Sequence, residues 1–243
     1  MIPDSAYRHH PRLRGKIEDP ATSFFRTFRP SDADQWVADQ NLPPDWRYTE
    51  EQIEAMRLEA LAGHSGDLWV FAYGSLMWNP GVWFTEVVRA RVTGMARKFC
   101  LVEPFGGRGT SERPGIMAAL DAGPHCDGLA FRLAAGTLTE ESRIIFYREL
   151  LAPAYETVWL TAETKLGPIQ VLSFAADHGT DLIQGDLPYE DVVRYAATGE
   201  GVLGTSLEYL ENLVEHFETL RIEDADVSQL LVDARSFRAK HTL

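Results

Sequence analysis

This chain lacks long apolar runs, has only two cysteines, and carries no surplus of positive charge. No apolar run approaches the roughly 18 residues needed to span a bilayer, so no membrane partner is expected. Residues 1–17 carry Arg8, Arg12, Arg14 and Lys16 but no apolar core, so no signal peptide is expected and the cytoplasm is the expected location. Cys100 and Cys126 fit a reduced compartment, and each sits in an apolar run as a small buried hydrophobe would. No electropositive neighbourhood marks either as a thiol nucleophile. The seven histidines form no His-x-x-x-His pair, and no Cys-x-x-Cys accompanies them. His125-Cys126-Asp127 is suggestive only by composition, and no metal site is expected. The net charge of −13 argues against a nucleic-acid partner, because phosphate binding needs a cationic face. Residues 1–35 hold six basic and five acidic side chains, so the acidity belongs to the body that follows.

What is present suits one well-cored domain with extensions: 243 residues, 45% hydrophobic and 24% charged. Residues 1–48 mix Pro, Arg, His and Asp without a lasting period, read as poorly structured, and close on Pro43-Pro44. Thr49 with Gln52 forms a capping-box pattern for a helix over about 49–62. Strands are expected at Leu68–Tyr73, Glu86–Val92, Arg97–Glu103, Gly115–Leu120, Gly128–Leu133, Ala154–Thr161 and Ile169–Ala175. Helices are expected at Thr137–Leu151, with Thr139 as a cap, and at Tyr189–Ala197, Ser206–Leu220 and about Ala225–Arg238. A strand-rich middle followed by helices points to an α+β fold around an antiparallel or mixed sheet.

Three places carry chemistry. First, the buried strand ending at Tyr73 runs into Gly74-Ser75-Leu76, and Asn79-Pro80-Gly81 then forces a turn. Such a junction leaves backbone N–H groups aimed at whatever binds there. Second, Phe105–Gly115 holds four glycines and two arginines without P-loop spacing. It reads either as a mobile surface connection or as a substrate-gripping lid offering Arg108 or Arg113 to a carboxylate. Third, Glu149 falls on the apolar arc of its helix beside Ile145, Phe146 and Leu150. A carboxylate there either bonds a backbone N–H or an arginine, or is a desolvated base with a raised pKa. Ser75 lacks the Gly-x-Ser-x-Gly elbow of a hydrolase nucleophile and reads as a binding or loop-shaping residue. Tyr155 and Tyr209 are either pocket hydroxyls or core aromatics.

Val70–Pro80, Arg108–Gly115, Tyr147-Arg148-Glu149 and Gly201–Leu210 stand in one order, and together they resemble the ChaC-type, glutathione-specific γ-glutamylcyclotransferases. The resemblance covers roughly residues 66–215. It implies a small, partly closed β-barrel flanked by helices and a cofactor-free conversion of glutathione into 5-oxoproline and cysteinylglycine. It also implies that Tyr73, Gly74, Ser75 and Leu76 bind the γ-glutamyl moiety and that Glu149 is the catalytic acid/base. Arg97, Arg108 or Arg113 would grip a substrate carboxylate, and Tyr155 and Tyr209 would face the pocket. Glu103–Gly107 and the proline within Leu150–Tyr155 depart from the commoner spelling and bear on substrate fit. The expected organisation is an N-terminal extension over 1–65, a catalytic domain over 66–222 and a C-terminal helix over 223–243. The expected partner is a small molecule, bound by a monomer or weak homodimer.

Overall fold

The computed structural model describes residues 1–38, 42 and 45–241, so Pro43-Pro44 lie outside the described residues. At its centre is a closed barrel of β1 (Leu68–Ala72), β2 (Glu86–Phe105), β3 (Thr110–Leu133), β4 (Tyr155–Thr164) and β5 (Gly167–Ala176), ordered β1-β3-β2-β4-β5. Neighbours in that order are antiparallel. Parallel pairing of Val70 with Leu172 joins β5 back to β1, which removes the free sheet edge. The expected α+β class and mixed barrel are what the chain forms. The helices α1 (Glu50–Ala60), α2 (Leu138–Glu149), α3 (Tyr189–Thr198), α4 (Ser206–Leu220) and α5 (Ala225–His241) flank it. Among the described residues, no helix is long and apolar enough to cross a membrane.

Local sequence accounts for the starts of α1 and α4. Thr49 and Gln52 exchange side-chain and backbone hydrogen bonds at 3.2 and 2.8 Å, closing the expected capping box on α1. Thr205 and Glu208 do the same on α4; such caps contribute about 1 kcal/mol each. The helix α2 differs from expectation. Thr139 lies inside it rather than capping it, because a 3-10 turn over Ala135–Thr137 leads the chain straight into Leu138.

Two expected strand pairs are each one long strand. Glu86–Val92 and Arg97–Glu103 are continuous in β2, and Gly115–Leu120 and Gly128–Leu133 are continuous in β3. The turn-like residues between them are bulges. Register shifts fall at Thr93/Met95, Phe99/Leu101 and Glu103/Phe105, and Gly94 takes φ +84° at the first.

The poorly structured reading of residues 1–48 is corrected by 3-10 turns at Asp4–Tyr7, Pro11–Leu13, Phe24–Arg26 and Pro30–Val37. Each is too short to show a period, yet together they set Ile2, Ala6, Tyr7, Leu13 and Ile17 into the main core. Polar anchors hold the segment down. Glu86, 3% exposed, takes Arg8 at 2.5 Å and His9 at 2.6 Å, and Glu141, 1% exposed, takes Arg26 at 2.6 Å. Both cysteines are buried and unpaired, and burial pushes each thiol up to about 11.

Candidate active site

The site begins where β1 ends. The Tyr73 hydroxyl donates to the Phe174 carbonyl at 2.8 Å and pins the strand end against β5. Gly74 follows, and a Cβ there would lie 2.5 Å from the Tyr209 hydroxyl, so the backbone approaches Tyr209 as only glycine allows. Ser75–Met77 then form a 3-10 turn. The first N–H groups of such a turn have no partner inside it and point outward from its start. Asn79 N–H donates to the Ser75 carbonyl at 3.0 Å, and Gly81 reverses the chain with φ +70°.

The last turn of α2 meets this loop. Arg148 Nε stands 3.1 Å from Glu149 Oε1, with the two side chains 6% and 13% exposed. Arg148 Nη2 donates to Ser75 Oγ at 2.6 Å, and Nη1 donates to the Asn79 carbonyl. The Phe25 ring covers the same guanidinium at 4.0 Å. One arginine therefore ties the helix end, the Tyr-Gly-Ser-Leu loop and the N-terminal segment together. Ser75 Oγ is spoken for as an acceptor, and no histidine is found among the described residues lining the site. A serine-hydrolase arrangement has no base here.

These groups open on a cavity of about 760 Å³. Tyr73, Gly74, Ser75, Leu76, Arg108, Glu149, Tyr155 and Tyr209 all line it. The Tyr155 hydroxyl donates to the Ala118 carbonyl at 3.0 Å, and Tyr209 lies under the Arg108 guanidinium at 5.3 Å. Of the three candidate arginines, only Arg108 reaches the cavity. Its Nη1 donates to the Thr205 carbonyl at 3.0 Å, one bond from a group with five N–H donors. Arg97 is spent on the carbonyls of Tyr73 and Asp127 and on the Asp224 carboxylate at 2.5 Å. Arg113 is exposed on β3, away from the lining.

The electrostatics follow from burial. Desolvation raises the Glu149 pKa, and the adjacent Arg148 charge opposes that rise without cancelling it. Burial raises the Tyr73 and Tyr155 phenols well above their ordinary range, with the Glu149 charge adding to it, and takes Tyr209 to about 12. The three tyrosines therefore stay protonated around the carboxylate. Burial also lowers the pKa of Arg108 and of Arg148.

The glycine-rich connection is tied down by one carboxylate, and of its two arginines Arg108 is the one that lines the cavity. The Glu103 carboxylate accepts N–H groups from Phe105, Gly107, Arg108 and Gly109 at 2.8, 3.3, 2.6 and 2.9 Å. The departure noted at Glu103 is thus a staple that locks the β2–β3 hairpin and fixes the base of Arg108. Sequence reading also missed Arg148 as a hub and the aromatic residues Phe24, Phe25, Phe28 and Trp36 on the cavity wall. The adjacency of Arg148 to Glu149 was a signal for the first, whereas nothing local marked the second.

The sequence profile of ChaC-like proteins matches residues 68–236. A glutathione-specific gamma-glutamylcyclotransferase of Escherichia coli (strain K12) is 33% identical over 177 residues, 72% of this chain and 76% of that one. Gamma-glutamylcyclotransferase 2-1 of Arabidopsis thaliana is 31% identical, over 65% of this chain and 81% of its own. The crystal structure of a gamma-glutamyl cyclotransferase specific to glutathione from yeast superposes with a TM-score of 0.65 at 18% identity, over 71% of this chain and 97% of that one, which shows the shared fold. From the barrel, the loop after β1 and the extent of these matches, the chain belongs to the ChaC-like protein family.

Proposed function

We propose that this chain is a γ-glutamylcyclotransferase that cleaves glutathione to 5-oxoproline and cysteinylglycine, with Glu149 as general base and then general acid. The observation that carries the reading is a desolvated carboxylate of raised pKa facing the same cavity as the Tyr-Gly-Ser-Leu loop. Such a carboxylate can take a proton from the substrate's α-ammonium. The freed amine attacks the γ-carbonyl, the C–N bond to cysteinylglycine breaks, and a five-membered lactam closes. Glu149 returns the proton to the departing amine. No water is consumed and no enzyme ester forms.

The protein's main task is to fold the substrate back on itself, and orientation of this kind supplies up to roughly 7–11 kcal/mol. The N–H groups opening the Ser75–Met77 turn are suited to the developing oxyanion, a contact whose loss typically costs about 2.7–4 kcal/mol. Arg108, held over Tyr209, is suited to one substrate carboxylate. In this reading residues 66–222 hold the chemistry, 1–65 form an N-terminal extension, and the helix α5 packs on the catalytic body. The reaction runs in the cytoplasm, without nucleic acid or membrane, in a monomer or weak homodimer.

The test is an assay of purified full-length chain with reduced glutathione and no added metal. Equimolar 5-oxoproline and cysteinylglycine are expected, whereas glutamate in place of 5-oxoproline would mean hydrolysis. Glu149→Gln should keep the wild-type melting temperature and lose about 10²–10⁴-fold in kcat. Unchanged turnover would remove Glu149 from the role and leave a binding module with a chance carboxylate.

A further inference from the structure

The cavity has two unlike parts. Around Glu149 it is polar, with three tyrosine hydroxyls, the Arg148 guanidinium and the loop amides. Adjoining it is an aromatic wall of Phe24, Phe25, Phe28 and Trp36, which meets the polar part where Phe25 covers Arg148 and is contributed by a segment that precedes the family match at residue 68. Phe24 lies 5.5 Å from Phe28, and Phe28 stacks on Trp36 at 5.6 Å.

The wall is a built feature. Ser23 Oγ donates to Asn79 Oδ1 at 2.7 Å, and Glu18 N–H donates to the Trp78 carbonyl at 2.7 Å, so it is fastened to the loop that follows β1. At its other side the Trp36 carbonyl lies 2.8 Å from where a Cβ on Gly106 would sit, so the hairpin tip packs against it. Phe24 is nevertheless 50% exposed, and Val202, 61% exposed, lines the same cavity. Leaving such large apolar groups open at a cavity mouth forfeits roughly 25 cal/mol for each Å² of apolar surface that a ligand could cover.

We propose that this wall is a subsite for a large apolar or aromatic substituent on the leaving side of the substrate, so that the chain accepts S-substituted glutathione thioethers as well as the free thiol. The inference rests on the γ-glutamyl reading of the Glu149 end. With the γ-glutamyl group seated against Glu149 and the loop, the cysteinyl portion projects toward the mouth, where the rings stand. A thiol offers them little surface. A benzyl or aryl thioether offers a ring to Phe24 and Trp36 at ordinary aromatic spacing. The reaction is unchanged: the lactam closes, and the leaving amine carries its S-substituent away.

The experiment compares kcat/KM for glutathione, S-benzylglutathione and γ-glutamyl-phenylalanine, following 5-oxoproline, in the full chain and in Phe24→Ala. The wild type is expected to turn over S-benzylglutathione at least as well as glutathione. Phe24→Ala should lower kcat/KM for S-benzylglutathione about tenfold while moving that for glutathione by less than about twofold. Turnover of glutathione with S-benzylglutathione far poorer would overturn the proposal. So would an equal loss on both substrates in Phe24→Ala, which is the result of a merely structural wall. Turnover of γ-glutamyl-phenylalanine in place of the thioether would overturn the thioether assignment. Absence of 5-oxoproline from every substrate would strike the proposed reaction instead. Calorimetric binding would then judge the wall separately, and S-benzylglutathione binding no tighter than glutathione would overturn it.

Discussion

Arg148 Nε sits 3.1 Å from Oε1 of Glu149, its neighbour in the chain, while its two terminal nitrogens hold Ser75 and Asn79 across the site. The guanidinium therefore does two things at once. It restrains the carboxylate's basicity, and it fixes where the carboxylate stands relative to the loop.

That coupling has a definite sign. Burial raises the Glu149 pKa and Arg148 lowers it, so removing the positive charge leaves the first effect unopposed. Arg148→Gln is expected to move the acidic limb of the kcat/KM profile to higher pH, because the ionised base then persists only in more alkaline solution. Arg148→Lys keeps the charge and should move that limb less, but it loses the fork that grips Ser75 and Asn79 and should still lose kcat. An acidic limb that stays in place in Arg148→Gln would show that another group titrates there.

Gly74 tests the close approach of the loop to Tyr209. A methyl group there meets the Tyr209 hydroxyl at 2.5 Å, and overpacking of this kind typically costs about 1–3 kcal/mol. Gly74→Ala is expected to lower the urea midpoint and to lose most activity as the loop shifts. Adding Tyr209→Phe removes the clashing oxygen and should restore stability more than activity. A double mutant no more stable than the single would place the strain elsewhere.

The Glu103 staple yields a prediction that separates binding from chemistry. Glu103→Ala leaves the N–H groups of Phe105, Gly107, Arg108 and Gly109 without their acceptor, and one unsatisfied buried donor alone costs about 1–3 kcal/mol. The hairpin that carries Arg108 should loosen, raising KM for glutathione more than it lowers kcat. An equal fall in kcat with KM unchanged would contradict the assignment of Arg108 to substrate binding.

His10 gives the fold a pH dependence apart from the site. Its Nε2 accepts the Arg89 N–H at 2.9 Å, and burial first, then the Lys165 charge, lowers its pKa from 6.5 to about 4. The neutral form is the one the fold holds. Its contribution is complete above pH 6.5 and is lost as pH falls toward and through about 4. Urea midpoints should decline across that window, and His10→Gln should flatten the decline. An unchanged slope in the variant would assign the acid sensitivity to other groups.

The sequence made the barrel and the polar half of the site legible for different reasons. The strand into Gly74 was readable as an apolar run that stops at a glycine, and the helix carrying Glu149 as an amphipathic pattern with a carboxylate on its apolar arc. The hub role of Arg148 was not, since an arginine in the last turn of a helix is what the helix dipole favours anyway. The bulge at Gly94 looked like a turn, and the one beside Phe99 left no trace inside an expected strand, because pairing that continues past an extra residue leaves no local signature. The aromatic wall was illegible for a simpler reason. Its anchors, Asn79 for Ser23 and Glu141 for Arg26, lie 56 and 115 residues away, and no window contains both partners.

The same separations bear on how the molecule is made. Lys16 pairs with Glu215, 199 residues later, so the segment around Lys16 waits for α4 before its contacts are complete. At ordinary synthesis rates of about 5–20 residues per second, that wait is on the order of 10–40 s. Until β5 has been made, Phe24, Phe25, Phe28 and Trp36 have no closed barrel to rest on, and closing so long a loop is slow by topology alone. The cavity is therefore enclosed only once α4, which carries Tyr209 and Asn212 of its lining, has been made, and a chain ending before α4 carries the loop and the carboxylate without that enclosure.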